Sequence, residues 1–226
     1  MKKHMTIVAA AFIALPAIAL PAWAADITPF NATYSLSVDG KTGTASRVLT
    51  QSGNSFTYKV SARAAGVATA NQTANFTLSN GRVIPSSATT SYKVAGVGAN
   101  HRISFSGRQA VSTYKGKSTT LATPNGAFDE LSLEMQIRQE LLNGKFSGNY
   151  TLVKKTDTER TIFRRAGNAK ITVPAGTYDT VRIDRVHDDR GRATSFWLAP
   201  ELNYLPIKVT QTNDGKTISM SLTKVN

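Results

Sequence analysis

FNATYSLSVDGKTGTASRVLTQSGNSFTYKVSAR, residues 30–63, carries the clearest structural pattern in this chain. Phe30, Ala32, Tyr34, Leu36 and Val38 alternate with Asn31, Thr33, Ser35, Ser37 and Asp39. Successive side chains of a strand point to opposite faces, so this period of two reads as a half-buried strand. Asp39-Gly40-Lys41-Thr42-Gly43 supplies a turn, residues 46–51 the return strand, and Ser52-Gly53-Asn54 a second turn. Phe56, Tyr58, Val60 and Ala62 then alternate with Thr57, Lys59, Ser61 and Arg63. The stretch predicts an antiparallel meander.

The pattern continues toward the C-terminus. Phe76 and Leu78 run into the hairpin signal Ser79-Asn80-Gly81, followed by Arg82-Val83-Ile84. Gly96-Val97-Gly98-Ala99-Asn100 reads as a loop, after which His101, Ile103 and Phe105 share a face. Residues 110–114 and 118–121 add strands. Further strands are predicted at 150–154, 161–165, 170–173, 180–186, 193–197, 205–211 and 217–224. Turns fall at Ala166-Gly167-Asn168, Pro174-Ala175-Gly176, residues 188–191 and Asn213-Asp214-Gly215.

One segment breaks the β pattern. AFDELSLEMQIRQELLNG, residues 127–144, places Asp129 as an N-cap before a run of strong helix formers and stops at Asn143-Gly144. A helix is expected over about 129–142, with Leu131, Met135 and Leu142 along one stripe and Leu133, Ile137 and Leu141 beside it. Its apolar arc is wide enough to plug one side or end of a curved sheet, leaving Glu130 and Glu134 in solvent. A sheet of roughly a dozen strands curls or closes to protect its edges. The expected fold is therefore mainly β: a curled antiparallel sheet, a β-roll or incomplete barrel, with one inserted α-helix.

The N-terminus adds an address. MKKHMTIVAAAFIALPAIALPAWAAD carries Lys2 and Lys3, a short apolar run and the Ala22-Trp23-Ala24 cleavage pattern, so residues 1–24 read as a signal peptide. Residues 25–226 then form a single β-rich domain in the periplasm, with no transmembrane segment after signal removal. The chain has no cysteine, which excludes disulfides, thiol catalysis and Cys-based metal sites. The formal net charge is +13, of which Lys2 and Lys3 contribute two. In an envelope the available anions are lipid headgroups, lipopolysaccharide phosphates and acidic glycans, and nucleic acid is not expected as a partner.

Several short motifs occur in order: Phe30-Asn31-Ala32-Thr33-Tyr34, Asp129-Glu130-Leu131-Ser132, Val173-Pro174-Ala175-Gly176-Thr177-Tyr178, Thr180-Val181-Arg182-Ile183, Phe196-Trp197-Leu198-Ala199-Pro200 and Leu205-Pro206-Ile207-Lys208-Val209. In this order and spacing the chain resembles the domain of unknown function 3108 family across essentially all of residues 25–226. The resemblance implies an exported envelope protein with a roll-like or barrel-like β domain. It implies no established activity and supplies no catalytic residues.

Candidate sites come from two stretches. FWLAPELNYLP, residues 196–206, is either a connection packed on the core or one wall of a ligand pocket, with Trp197 foremost and Phe196 and Tyr204 beside it. RIDRVHDDRGR, residues 182–192, reads either as a strand whose charges pair across to Arg164, Arg165 or Lys208, or as part of a basic groove for an anionic headgroup. That groove would use Arg164, Arg182 and Arg185, with Arg160 and Arg192. His101 and His187 are the histidines after the signal region, and neither G-x-S-x-G nor H-E-x-x-H is present. No catalytic residue, metal ligand or cofactor is assigned. The reading is a non-catalytic binding or envelope-maintenance protein holding an apolar or anionic, lipid-like amphiphile. The alternative is an interaction module for an envelope protein or glycan, and the third reading is a hydrolase of an envelope polymer.

Overall fold

The computed structural model describes residues 25–64 and 68–226; the signal-peptide reading of residues 1–24 lies outside the described residues. The first eight strands are β1 (Phe30–Val38), β2 (Lys41–Ser52), β3 (Ser55–Ala64), β4 (Ala68–Ser79), β5 (Arg82–Val94), β6 (Val97–Ser106), β7 (Gln109–Tyr114) and β8 (Lys117–Ala122). Helix α1 (Glu130–Leu142) follows. The chain then forms β9 (Asn149–Val153), β10 (Thr158–Val173), β11 (Gly176–Val186), β12 (Arg192–Ala199), β13 (Leu205–Asn213) and β14 (Lys216–Val225).

All fourteen strands belong to one sheet in the order β8-β7-β6-β5-β4-β3-β2-β1-β14-β13-β12-β11-β10-β9. The first and last strands of the chain pair antiparallel, with Tyr34 opposite Leu222. The two edges are thus β8 and β9, and α1 is the connection between them. Closure is nearly complete. Phe128, just before α1, donates its N–H to the Thr151 carbonyl (2.9 Å) and accepts the Val153 N–H (2.9 Å), making a parallel bridge to β9. Ser112 Oγ on β7 donates to the Lys155 carbonyl beyond β9 (2.8 Å). Ala88, Ile103 and Ala110 pack with Ala127 and Val153 across the seam. The β9 edge, which would otherwise be open to template aggregation, is bridged in this way.

The helix starts where its cap requires. Asp129 Oδ1 accepts the N–H groups of Leu131 (2.9 Å) and Ser132 (3.1 Å), and Ser132 Oγ accepts the Asp129 N–H (3.1 Å), a reciprocal capping box. Asp129 is fully buried, and burial raises its pKa against these hydrogen bonds. The helix is more deeply embedded than an amphipathic plug. Leu131, Leu133, Met135, Ile137 and Leu141 are buried, and so are Ser132, Gln136, Arg138 and Gln139. Their polar groups are matched: Gln136 accepts the Val83 N–H (2.8 Å), and Gln139 accepts the Ile27 N–H (3.0 Å). The main core joins α1 to Phe56, Tyr58, Phe76, Tyr150, Leu152 and Ile183, so the helix runs inside the sheet's concave face.

The structure corrects three sequence expectations. Ala166-Gly167-Asn168 is not a turn between two strands. It is a bulge inside the single strand β10, where the register shifts between Arg165 and Gly167. Residues 97–100 are not a loop but the start of β6, with Gly98 opposite Lys93. Strands β4 and β5 extend well beyond Phe76–Ile84, because their Thr-, Ser- and Ala-rich halves have little hydropathy contrast, yet the backbone ladder continues from Ser79–Arg82 to Ala68–Val94.

Candidate functional site

A charged cluster occupies the barrel interior. Arg47 on β2 shares a face with Ala45 and Leu49, so its side chain points inward, where Glu134 projects from the second turn of α1. Arg47 Nη1 lies 2.7 and 2.8 Å from the two Glu134 carboxylate oxygens and donates to Tyr58 Oη at 2.9 Å. Tyr58 in turn donates its hydroxyl to Glu134 Oε1 (2.8 Å). Glu134 is therefore not solvated as the sequence suggests: its side chain is only 12% exposed. Burial works against the Arg47 charge, but Glu134 and the two tyrosines more than offset this and hold the guanidinium above its usual range. Burial also pushes Tyr34 up to about 12, so it stays a phenol.

Arg138 lies one helical turn beyond Glu134 and is 1% exposed. Its Nε and Nη2 donate to the Asn203 carbonyl (3.2 and 3.1 Å), its Nη1 approaches Met135 Sδ (3.7 Å), and the guanidinium sits 4.7 Å from the Phe30 ring centre. Glu134 is bonded to Arg47, so among the described residues Arg138 has no carboxylate bonded to it. Burial lowers its pKa, with Glu134 opposing. Two guanidinium groups against one carboxylate leave this cluster with one excess positive charge.

Next to this cluster is a cavity of about 130 Å³. Leu133 and Ile137 of α1 form one wall; Leu152, Phe163, Ile183, Phe196 and Leu198 form the opposite one. Glu134 and Arg138 border it on the inside, and Glu130, Arg185, Thr194 and Gln211 stand toward its opening. The shape suits a short hydrocarbon segment: an apolar cavity of about 150 Å³ accommodates benzene.

The stretch 196–206 builds part of this site. After β12 the chain makes a 3-10 turn at Pro200–Leu202, and Asn203 and Tyr204 both take left-handed backbone angles (φ 52° and 57°). Such angles cost roughly 1–2 kcal/mol for each non-glycine residue. The strain is held by the Asn203 N–H donating to the Pro200 carbonyl (3.0 Å) and the Tyr204 N–H donating to the Ala199 carbonyl (2.8 Å). The outcome is the Asn203 carbonyl aimed at Arg138.

The sequence candidates separate. Phe196 lines the cavity, and Tyr204 packs against the same core without lining it. Trp197, the next residue on β12, faces the other way: its ring lies 5.3 Å from both the Arg182 guanidinium and the Lys208 ammonium, and it packs with the second core cluster of Tyr34, Val173, Ile207 and Leu222. Arg182 pairs with Asp184 two residues along its own strand (2.8 Å), and Arg164 stands exposed opposite Asp184. Arg185 points inward to the cavity opening and pairs with Glu159. Arg164, Arg182 and Arg185 thus lie on two faces of the sheet and do not assemble into one groove. The Val173–Tyr178 motif serves the architecture, since the Ala175 N–H donates to the Leu222 carbonyl (3.1 Å) and fastens the β10–β11 hairpin onto β14. Sequence reasoning missed Arg47, Glu134 and Arg138. The available signal was an arginine in phase with Ala45 and Leu49, together with an acid and a base four residues apart on a helix.

Fold and site define a class, a nearly closed β-barrel-like domain with a helix threaded through it and a small charged cavity beside that helix. The chain matches the family model described as Protein of unknown function (DUF3108) over residues 30–223, and it belongs to that family. Among solved structures it is similar to a beta-barrel-like protein of domain of unknown function DUF1849 from Brucella abortus. The identity is 13% and the TM-score 0.60, with 89% of this chain and 98% of that one covered. A similarity to MucB has 12% identity and a TM-score of 0.33 and covers 88% of this chain and 52% of that one. No curated protein matches.

Proposed function

We propose that the protein is a non-catalytic binding protein of the bacterial periplasm that holds the apolar end of an anionic amphiphile in the cavity beside α1. One observation carries the reading: Arg138, buried and without a bonded carboxylate, stands beside Glu134 on the inner end of a cavity whose two facing walls, from Leu133 and Ile137 to Phe163, Ile183, Phe196 and Leu198, are apolar. An uncompensated buried charge costs several kcal/mol, and a bound carboxylate or phosphate would remove that cost. A guanidinium presents five N–H donors in a fork that fits either anion. The volume fits a few methylenes, so the rest of a longer chain would leave through the opening near Arg185 and Gln211.

The test is native mass spectrometry of the protein purified from the periplasm, with organic extraction, and calorimetry of the extracted protein with hexanoate. A bound amphiphile, and hexanoate binding that is lost in Arg138→Met with an unchanged circular dichroism spectrum, supports the proposal. A clean apo mass together with no hexanoate binding overturns it. Leu198→Trp, which fills the cavity while keeping Arg138, should also abolish binding.

A further inference from the structure

A second surface lies at one rim of the barrel. Between Asp39 and Asp129 the sequence has ten Lys and Arg and no Asp or Glu. This segment forms β2–β8, seven adjacent strands, so one half of the barrel wall is free of carboxylates. Arg47 is turned inward to Glu134, while the other nine cations are exposed. Acids resume in the other half, at Asp157, Asp188, Asp189 and Asp214, so the charge is asymmetric across the molecule.

An antiparallel meander places alternate turns at the same end, and the β5–β6 and β7–β8 turns share one rim of the acid-free half. There the β5–β6 hairpin outreaches its neighbour β7, for His101 lies opposite Tyr114 while Val97 has no partner on that strand. On the projecting part Tyr92, Val94 and Val97 are 40%, 54% and 77% exposed. They prolong an alanine-rich row of the sheet's concave face, where Ala64, Ala68, Val94 and Val97 follow one another in register over β3–β6, with Ala62, Ala70, Tyr92 and Ala99 in the next row. Ala64 is buried and Ala62 packs on the core, so the exposed apolar surface is Tyr92, Val94 and Val97 on the projecting tip. Lys93 flanks the tip, and Lys115 and Lys117 occupy the adjoining turn, with no carboxylate paired to any of them among the described residues.

We infer that this rim docks on an anionic lipid bilayer, the β5–β6 tip entering the interface and Lys93, Lys115 and Lys117 meeting the headgroups. Exposed valine at a hairpin tip flanked by Lys93 and by the two lysines of the adjoining turn combines the two attractions a peripheral membrane protein uses, apolar burial and attraction to a negative surface. A soluble polyanion would engage the lysines and leave Tyr92, Val94 and Val97 in water. The bilayer satisfies both sets of groups. The inference uses none of the residues of the α1 cavity and stands independently of what that cavity holds.

Co-sedimentation of the chain beginning at residue 25 with equimolar phosphatidylcholine–phosphatidylglycerol vesicles tests it, with pure phosphatidylcholine vesicles for comparison. Binding to the anionic vesicles, weakened by added salt, is expected. Each of Lys93→Glu and Lys115→Glu should weaken it about fivefold or more, the effect of one basic residue near a charged membrane. Val94→Asp/Val97→Asp should abolish sedimentation while hexanoate binding and the circular dichroism spectrum stay unchanged. Equal sedimentation of the wild type and the Val94→Asp/Val97→Asp variant, or retention on immobilised heparin without any vesicle binding, would overturn it.

Discussion

Arg47 on β2 and Glu134 on α1 are joined by an ion pair at 2.7 Å, with side chains 6% and 12% exposed, and Tyr58 bonds both partners. The pair ties the helix to the sheet at the depth where an apolar contact would be the ordinary solution. Its removal is asymmetric. Glu134→Gln leaves Arg47 buried with no counter-charge and should cost about 3–5 kcal/mol. Replacing both partners at once with Arg47→Met and Glu134→Leu should cost much less, because Arg47 is then not left without its counter-charge and the cluster's excess charge stays as it was. Urea unfolding of the single and double variants measures the difference; equal costs would mean that the pair is not the relevant unit.

The capping box makes a second quantitative test. Asp129→Ala removes the acceptor for the Leu131 and Ser132 N–H groups in a buried setting. A loss of about 1–2 kcal/mol is expected. Asp129→Asn keeps an acceptor oxygen and drops the buried charge, so it should lose less in the same unfolding experiment.

Gly43 should resist substitution although its strand position would ordinarily favour a larger residue. A Cβ there would meet the Arg63 carbonyl oxygen at 2.3 Å and Ala64 Cα at 2.8 Å, both backbone atoms of the adjacent strand. Gly43→Ala must push β2 and β3 apart and should destabilise by about 1–3 kcal/mol, the range for overpacking. Gly53→Ala provides a comparison in a turn with open space around the new methyl group, where the cost comes from φ of 56° alone.

Stability should fall as pH drops from neutral. Burial, then Lys155 and Lys154, lowers the pKa of His101; burial, then Arg185 and Arg192, lowers that of His187. In the unfolded chain both titrate at about 6.5. Just below that pH the unfolded state binds more protons than the fold, so lowering pH favours unfolding until the folded pKa values are passed. Urea midpoints measured from neutral to mildly acidic pH should decline over this window. His101→Asn/His187→Asn should flatten the decline; an unchanged slope would assign it to other groups.

The legible part of this molecule is local. Period-two alternation at residues 30–38 and 56–63 places β1 and β3, and Asp129 with Asn143-Gly144 brackets α1, because capping and turn chemistry act within a few residues. The β10 bulge reads as a turn because Ala166-Gly167-Asn168 has turn composition, while the ladder to β11 across it is a property of the pairing. Phe196 and Trp197 have to face opposite sides of their strand. Which of them meets the cavity depends on where β12 sits between β11 and β13.

A β meander interrupted by one helix follows from local sequence alone, since alternation, turn residues and caps are short-range physics. Tertiary packing alone sets the helix on the sheet's concave side, bridges edge strand β9 through Leu152 to Phe128 ahead of α1, and brings Arg47, Glu134 and Arg138 into one buried cluster. Glu134 reads as a solvent residue on its own helix. It becomes a buried counterion because closing the sheet brings it to a residue 87 positions away, and no local pattern encodes a contact of that range.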